Sequence, residues 1–137
     1  MLFEDTLHVY FYKDSPLAKL KDIHIADIDI NSLILLPDGH CLRTQVVDLC
    51  SAKNRKQDKL YVESGSLETI TRIVDAISGT TILPDMAVRM LSDEKRKQVR
   101  PFSPIINARR EIALAVSTNF YKKSIYEAIK KEILNTK

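Results

Sequence analysis

Two cysteines are the residues of this chain whose type and spacing point most directly to chemistry. Cys41 and Cys50 are nine positions apart in the segment 38–50, which reads Asp-Gly-His-Cys-Leu-Arg-Thr-Gln-Val-Val-Asp-Leu-Cys. The apolar residues of this segment recur at helical spacing and share one stripe with Cys50, which predicts a helix over about 40–50: Leu42, Val46 and Leu49. Cys50 is therefore expected to be buried and inert when reduced, whereas Cys41 lies off the stripe.

The helical spacing separates the two thiols. Nine helical residues rise about 13.5 Å and make about two and a half turns. A disulfide requires Cα atoms roughly 4.4–6.8 Å apart. The pair cannot bond while the helix is intact, so disulfide formation has to unwind it. Oxidation and a change of conformation are then expected to be one event.

The expected position of Cys41 favours its thiolate form. It falls in the first helical turn, where free N–H groups and the positive end of the helix dipole lie, and His40 and Arg43 are close in sequence. A cysteine with a pKa near 8.5 is only about 3% ionised at pH 7. Lowering the pKa to about 6 requires that the protein favour the thiolate over the thiol by about 3.4 kcal/mol. The helix dipole supplies roughly 0.5–2 kcal/mol of this free energy, and nearby cations supply the rest. Peroxide converts such a thiolate to a sulfenic acid, which a second thiol traps as a disulfide.

Spacing and context alone leave another interpretation of the cysteines open. Both can be small apolar packing residues without redox chemistry. A metal site is disfavoured because His40, Cys41 and Cys50 cannot converge on one helix, and the chain has no C-x-x-C pair. No metal and no other cofactor is expected.

The remaining pattern alternates strands and helices, which indicates an α/β fold. We predict strands at 6–13, 32–36, 59–63, 80–83 and 112–116, with a turn at 37–39. We predict a helical turn at 17–20 and a helix that begins after its cap Ser66 and ends at Gly79. The segment 84–91 is predicted to begin a further helix, and 121–134 is predicted to be a terminal amphipathic helix.

Composition is that of an ordinary globular protein. The 137 residues are 45% hydrophobic and 28% charged, with a net charge of +3, enough for one compact domain or part of a larger one. The sequence shows no secretory signal and no apolar stretch long enough to cross a membrane, so a cytoplasmic location is expected. The basic segments 53–59 and 95–100 are expected to be solvated loops rather than nucleic-acid-binding patches.

One block of residues resembles a known family. Asp38-Gly39-His40-Cys41-Leu42-Arg43, followed by Gln45 and Cys50, is similar to the redox motif of the OxyR family of peroxide-sensing LysR-type regulators. The resemblance runs from about residue 2 to about residue 133 and continues through three further blocks: Ser66-Leu67-Glu68-Thr69, Thr81-Ile82-Leu83-Pro84 with Ala87-Val88, and Arg109-Arg110. The G-H-C-L-R block with its second cysteine is specific, whereas the S-L-E-T and L-P blocks alone would indicate only a LysR-type effector domain.

The resemblance implies a fold and a domain organisation. It implies a type 2 periplasmic-binding-protein-like effector domain, with 14–105 as a complete subdomain. Residues 6–13 and 109–137 would form crossover strands and part of a second subdomain. The family's winged helix-turn-helix is absent from these residues, as is the first part of its effector domain. DNA binding is therefore expected only through an N-terminal domain, in a full-length homodimer or tetramer.

The resemblance also implies roles for individual residues. Cys41 would react with hydrogen peroxide, and Cys50 would resolve the product, with a glutaredoxin or thioredoxin system as reductant. Gly39 and His40 would shape the peroxide pocket, and Arg110 would supply a cation near the Cys41 sulfur. Thr44 and Leu60 depart from residues that relatives carry there, an acidic residue and a histidine, which affects the tuning of the site and not the thiol pair.

Two competing functions remain. The chain could be a LysR-type effector domain that binds a small anionic metabolite at the start of the Ser66 helix, with incidental cysteines. It could also be a thiol peroxidase that uses Cys41 catalytically. A large unfolding step in every turnover suits a switch better than a catalyst, so we do not expect an enzyme.

Overall fold

A computed structural model describes residues 1–36, 41–50, 66–119 and 121–136. The predicted turn at 37–39 and the predicted strand at 59–63 lie outside these ranges, as does the basic segment 53–59. Cys41 is described by its backbone alone.

The sheet is organised around one long strand. β1 (Phe3–Phe11) pairs antiparallel with β2 (Thr80–Pro84) through residues 7–11. Its residues 8–10 pair with β3 (Val99–Pro101), and its residues 3–6 pair with β4 (Arg109–Ile112). The first four residues of β1 therefore contact a different strand from the rest, and the chain leaves the sheet beside the point where it enters.

β1 also supplies much of the core. Leu7, Val9, Tyr10 and Phe11 are at most 2% exposed, as expected for a strand covered on both faces. Tyr10 carries the one polar group among them, and its hydroxyl lies 3.0 Å from both carboxylate oxygens of Asp75. Burial, followed by the hydrogen bond and charge of Asp75, raises the pKa of Tyr10, so it remains a neutral donor.

Five α-helices accompany the sheet in the described ranges: α1 (Cys41–Cys50), α2 (Leu67–Ile77), α3 (Asp85–Val88), α4 (Asp93–Arg96) and α5 (Lys123–Asn135). The predicted apolar face of α2 is confirmed, since Ile70 and Val74 are buried. α5 buries none of its residues, and three of its apolar side chains are 43–46% exposed: Ile125, Ile129 and Leu134.

Most of the elements predicted within the described residues of the first two-thirds of the chain are confirmed. The strand predicted at 6–13 is β1, the turn near residue 17 is a 3-10 helix over Pro16–Lys19, and the Ser66 cap is present. The buried run 32–36 is not a ladder strand. It follows a 3-10 helix (Ile30–Ser32) and joins the sheet through one parallel bridge between Leu33 and Thr80.

Three boundaries were wrong. The strand predicted at 112–116 ends at Ile112, because its pairing partner Phe3 is the first residue of β1. The strand predicted at 80–83 extends by one residue to Pro84, which lies opposite Leu7. Ser78, not Gly79, adopts the left-handed conformation that ends α2, with φ 56°.

Gly79 has a different role, which yields a first prediction. A Cβ there would lie 2.8 Å from Ile34 Cδ1 and 3.1 Å from the Ser32 carbonyl oxygen. We expect Gly79→Ala to lower the free energy of unfolding by about 1–3 kcal/mol, because the close packing has to give way. Urea denaturation measures the loss. Ser78→Gly is the matched control and should be neutral or slightly stabilising, since it removes left-handed strain; equal losses in both variants would contradict this explanation.

Candidate functional site

The predicted thiol helix is present. α1 begins at Cys41 and ends at Cys50. Its apolar stripe faces the core, with Leu42 1%, Val46 3% and Cys50 1% exposed. Cys50 is not part of a disulfide and is buried among aliphatic side chains. The ten residues of this intact helix place the two cysteines about 13.5 Å apart along its axis, well beyond the reach of a disulfide.

Two polar side chains of α1 have informative surroundings. Arg43 donates from Nη1 to the carbonyl oxygen of Leu36 at 3.0 Å, which ties the first turn of α1 to the buried segment before it. Gln45 follows Cys41 by one helical turn, and residues at this spacing lie on the same side of a helix. Its Oε1 is buried and has no hydrogen-bond partner in the part of the chain that the structure describes. A buried acceptor is stabilised when a donor reaches it, and an O–H group is one donor that could do so.

Arg110 lies in a buried ion pair. It is the direct cross-strand partner of Asp5, and its Nε and Nη2 approach Asp5 Oδ2 at 2.9 and 2.7 Å. The side chains are 15% and 2% exposed. The other carboxylate oxygen of Asp5 accepts the backbone N–H of Met86 at 3.3 Å, in the first turn of α3. Asp5 therefore joins β1, β4 and α3.

Arg110 also borders a cavity of about 740 Å³. The cavity lies against the first half of α2, the end of β2 and the segment that follows α3. Its polar lining includes Thr71, Arg72 and Lys95, and Leu67 contributes from the start of α2. The structure thus brings Arg110 next to the helix that Ser66 caps.

Ser66 performs the capping function that the sequence predicted. Its Oγ lies 3.5 Å from the backbone nitrogen of Thr69, at the long limit of a hydrogen bond. Glu68 in the first turn of α2 already provides the negative charge that the helix dipole favours, and it pairs with Arg72 at 2.8 Å. These contacts weaken the case for an anion at this helix start.

The structure describes only part of the remaining predicted site. Gly39 and His40 lie outside the described residues, and the position of the Cys41 side chain is not described. Among the residues that are described, no cluster of His, Cys, Asp or Glu could hold a metal ion. The site prediction overlooked Asp5. No local pattern singles out Asp5, because its neighbours Glu4 and Thr6 are also polar, and only the fold shows that its side chain is buried.

Comparisons with known proteins agree with this geometry. A family model described as the LysR substrate binding domain matches residues 1–134. The chain is 32% identical over 134 residues to the DNA-binding transcriptional dual regulator OxyR of Escherichia coli (strain K12), covering 96% of this chain and 43% of that regulator. It is 36% identical over 87 residues to the hydrogen peroxide-inducible genes activator of Dickeya chrysanthemi, covering 64% of this chain and 28% of the activator.

Solved structures extend the similarity to the fold. The reduced form of the OxyR regulatory domain from Pseudomonas aeruginosa matches with a TM-score of 0.82 and 31% identity, over 97% of this chain and 63% of that chain. An OxyR mutant from Porphyromonas gingivalis matches with a TM-score of 0.81 and 26% identity, over 98% and 60% of the two chains.

Two further observations concern the length of the chain and the character of its helices. The chain spans less than half the length of the Escherichia coli regulator. None of the described helices combines the length and the apolar character that crossing a membrane demands. With its α/β architecture and a family match over 134 residues, the chain belongs to the LysR substrate-binding domain family and has, in part, the type 2 periplasmic-binding-protein-like fold of OxyR regulatory domains.

Proposed function

We propose that the chain is the redox-sensing part of a hydrogen-peroxide-responsive LysR-type transcription regulator, and not an enzyme. The observation that carries the proposal is α1. It begins at one cysteine and ends at the other, and it buries Cys50, which is not part of a disulfide. A pair of thiols held apart by a helix is suited to a switch, because bonding them and unfolding the helix are the same event.

The proposed reaction has two steps. The Cys41 thiolate attacks one oxygen of hydrogen peroxide, the O–O bond breaks, and the departing hydroxide takes a proton to become water. The product is a sulfenic acid at Cys41. The Cys50 thiol then attacks that sulfur, the S–S bond forms, and the sulfenic oxygen leaves as a second water. Peroxide is reduced and the two thiols are oxidised.

Several polar groups support the first step. Cys41 is the first residue of α1, so its thiolate benefits from the positive end of the helix dipole. Arg43, anchored on Leu36, adds a nearby cation. The buried Oε1 of Gln45 is available to accept a peroxide O–H. The roles of Gly39, His40 and Arg110 in this pocket rest on the resemblance to OxyR.

The domain organisation is proposed from the sheet and from α5. Residues 14–105 form one subdomain. β1 leads into it and β4 leads out of it, and these two strands lie side by side. The exposed apolar face of α5, with Ile125, Ile129 and Leu134, belongs to a second subdomain that these residues form only in part.

Partners follow from the same similarity. DNA binding and assembly into dimers and tetramers belong to the full-length regulator in the cytoplasm. A glutaredoxin or thioredoxin system resets the disulfide.

A second candidate is a metabolite-sensing effector domain. The cavity of about 740 Å³ beside Arg110 and Lys95 favours this alternative, since it combines apolar walls with cations. On this alternative the cysteines are incidental and peroxide leaves the protein unchanged.

The test is a brief pulse of stoichiometric hydrogen peroxide followed by mass spectrometry. We expect an intramolecular disulfide between Cys41 and Cys50, with the loss of the mass of two hydrogen atoms. Cys50→Ser should stop at a sulfenic acid that dimedone traps on Cys41, and Cys41→Ser should remain unmodified because Cys50 is buried. Thiol alkylation against pH should give Cys41 a pKa clearly below 8. If both thiols persist after the pulse and alkylate as ordinary cysteines do, the second candidate takes over.

A further inference from the structure

The cavity of about 740 Å³ beside α2 is a feature that the proposed reaction does not use. No described residue of α1 lines it. Its volume falls in the range of pockets that enclose small molecules, roughly 300–1,000 Å³. Such pockets combine apolar walls with a few polar groups that orient the ligand. The side chains around this cavity therefore indicate which kind of molecule fits it.

Apolar side chains form much of the cavity wall. Leu83, near the end of β2, is 1% exposed and belongs to the inner part of this wall. Met86 and Met90 are 51% and 87% exposed, which places them towards the opening. Methionine side chains are unbranched and flexible, so they adapt to neighbours of different shape. The cavity thus offers a fixed apolar surface inside and an adaptable one outside, which suits the apolar body of a ligand.

One cation is held at the wall of this cavity. Lys95 Nζ lies 3.4 Å from Thr71 Oγ1 and 3.4 Å from Asp75 Oδ2, and both Lys95 and Thr71 line the cavity. Thr71 is 1% exposed and donates its hydroxyl hydrogen to the carbonyl oxygen of Glu68 at 2.8 Å, so it accepts from Lys95. An ammonium group has three donors. Because both of these contacts are long, Lys95 can donate to an anion in the cavity without losing a short hydrogen bond.

The carboxylates that compensate the cations do not line the cavity. Asp75 pairs with Lys95 and Asp5 pairs with Arg110, and only the two cations are among the lining residues. Glu68 is the one acidic residue that lines the cavity in the described ranges, and it is 75% exposed and already paired. The interior of the cavity therefore presents positive charge, which favours an anionic group over a cationic one.

We propose that this cavity binds a small monocarboxylate with an apolar body, with its carboxylate at Lys95 and its body against Leu83 and the two methionines. A bare anion such as phosphate would leave the apolar walls without a partner, and a neutral molecule would make no use of the ammonium group. Arg110 adds positive charge to the same cavity. The site does not depend on the thiol pair, so carboxylate binding and the redox switch are compatible in one chain.

An NMR titration of the isotope-labelled chain with sodium hexanoate tests the proposal. Hexanamide has the same body without the charge, and acetate has the charge without the body. We expect hexanoate to bind with a Kd below about 1 mM, and each of the other two probes at least about tenfold more weakly. The amide shifts should be concentrated at Thr71, Leu83 and Lys95.

Two variants separate the contribution of the charge from that of the space. Lys95→Met keeps the apolar stem and removes the ammonium group, so it should weaken hexanoate binding about tenfold and leave hexanamide binding unchanged. Ala87→Phe places a ring in the cavity and should abolish the binding of both. Lys97→Met is the matched control, because it removes the same charge from an exposed lysine that does not line the cavity, and hexanoate should bind as before. Urea denaturation shows which variants are folded, and should Lys95→Met not fold, Lys95→Arg is expected to retain binding because it keeps the cation.

Several results would overturn the inference. These are equal binding of hexanoate and hexanamide, equal losses in Lys95→Met and Lys97→Met, and shifts that spread over the surface without a centre at the cavity. The proposed function is tested separately by the peroxide pulse, and Cys41→Ser should bind hexanoate as the unaltered chain does. A chain that binds hexanoate while its thiols persist after peroxide overturns the proposed function and leaves this site in place, whereas a chain that forms the disulfide but binds no hexanoate does the reverse.

Discussion

Oxidation with one equivalent of hydrogen peroxide is expected to abolish the hydrogen-exchange protection of α1. The helical amides from about Gln45 to Cys50 should exchange at least 100-fold faster in the disulfide form, because their i to i−4 hydrogen bonds are lost. Exchange measured by mass spectrometry in both redox states gives the result directly. β1 and β2 should keep their protection.

The reason for so large an effect is geometric. The cysteines lie about 13.5 Å apart along the helix axis, and the disulfide requires Cα atoms about 4.4–6.8 Å apart. Fraying of one turn does not close that gap, so most of α1 has to unwind. Leu42 and Val46, 1% and 3% exposed, lose their packing as it does.

That packing also bears on the redox potential. Exposing each of these aliphatic side chains costs roughly 1.5–3 kcal/mol if exposure is complete. About 1.4 kcal/mol corresponds to about 30 mV for a two-electron couple, and a destabilised disulfide is easier to reduce. The oxidised form should therefore be readily reset by a dithiol reductant. Cys50→Ser is the control, since peroxide can modify Cys41 there without closing a disulfide, and α1 should keep its protection. A disulfide that forms while α1 remains protected would refute the proposed switch.

Local sequence patterns were sufficient to predict the elements whose structure depends mainly on their own residues. α1 follows from its apolar stripe, and α2 follows from the Ser66 cap and the spacing of Ile70 and Val74. The run at 32–36 shows the limit. Continuous burial is the same for a ladder strand and for an extended segment with one bridge, so sequence alone cannot separate them.

The basic segment 95–100 shows a second limit. It is part helix and part strand, and not a solvated loop. Lys95 pairs with Asp75 at 3.4 Å, and Arg100 lies over the ring of Phe11 at 5.6 Å and donates to the carbonyl oxygens of Ala18 and Leu20. These partners are 20 to 89 positions away in sequence, so a local charge count could not find them.

The residues of the candidate site also differ in whether the local sequence could identify them. Cys41 and Cys50 were identifiable because their spacing and their helix are local. The pairing of Arg110 with Asp5 spans 105 positions and depends on the register of β1 against β4. Only the fold shows that an arginine expected to act on a thiol has a second role in holding the sheet together.

That second role makes stability the largest expected effect of changing Arg110. Arg110→Ala should lower the free energy of unfolding by about 3–5 kcal/mol, because it leaves the carboxylate of Asp5 buried without its cation. Urea denaturation measures this loss. The matched control is Arg109→Ala, which breaks the pair with Glu4, where the side chains are 61% and 52% exposed. Such an exposed pair contributes at most about 1 kcal/mol.

The double variant Asp5→Ala with Arg110→Ala separates the pair from the buried charge. Most of the 3–5 kcal/mol should return, because the penalty lies in one uncompensated ion rather than in the lost attraction. Equal losses for Arg109→Ala and Arg110→Ala, or a double variant that loses the sum of both single changes, would show that Asp5 is hydrated or otherwise paired. Because Arg110→Ala combines a folding defect with a missing cation, its oxidation rate has to be measured under conditions in which denaturation curves show it fully folded. A slow rate under those conditions then reports on the thiol and not on the fold.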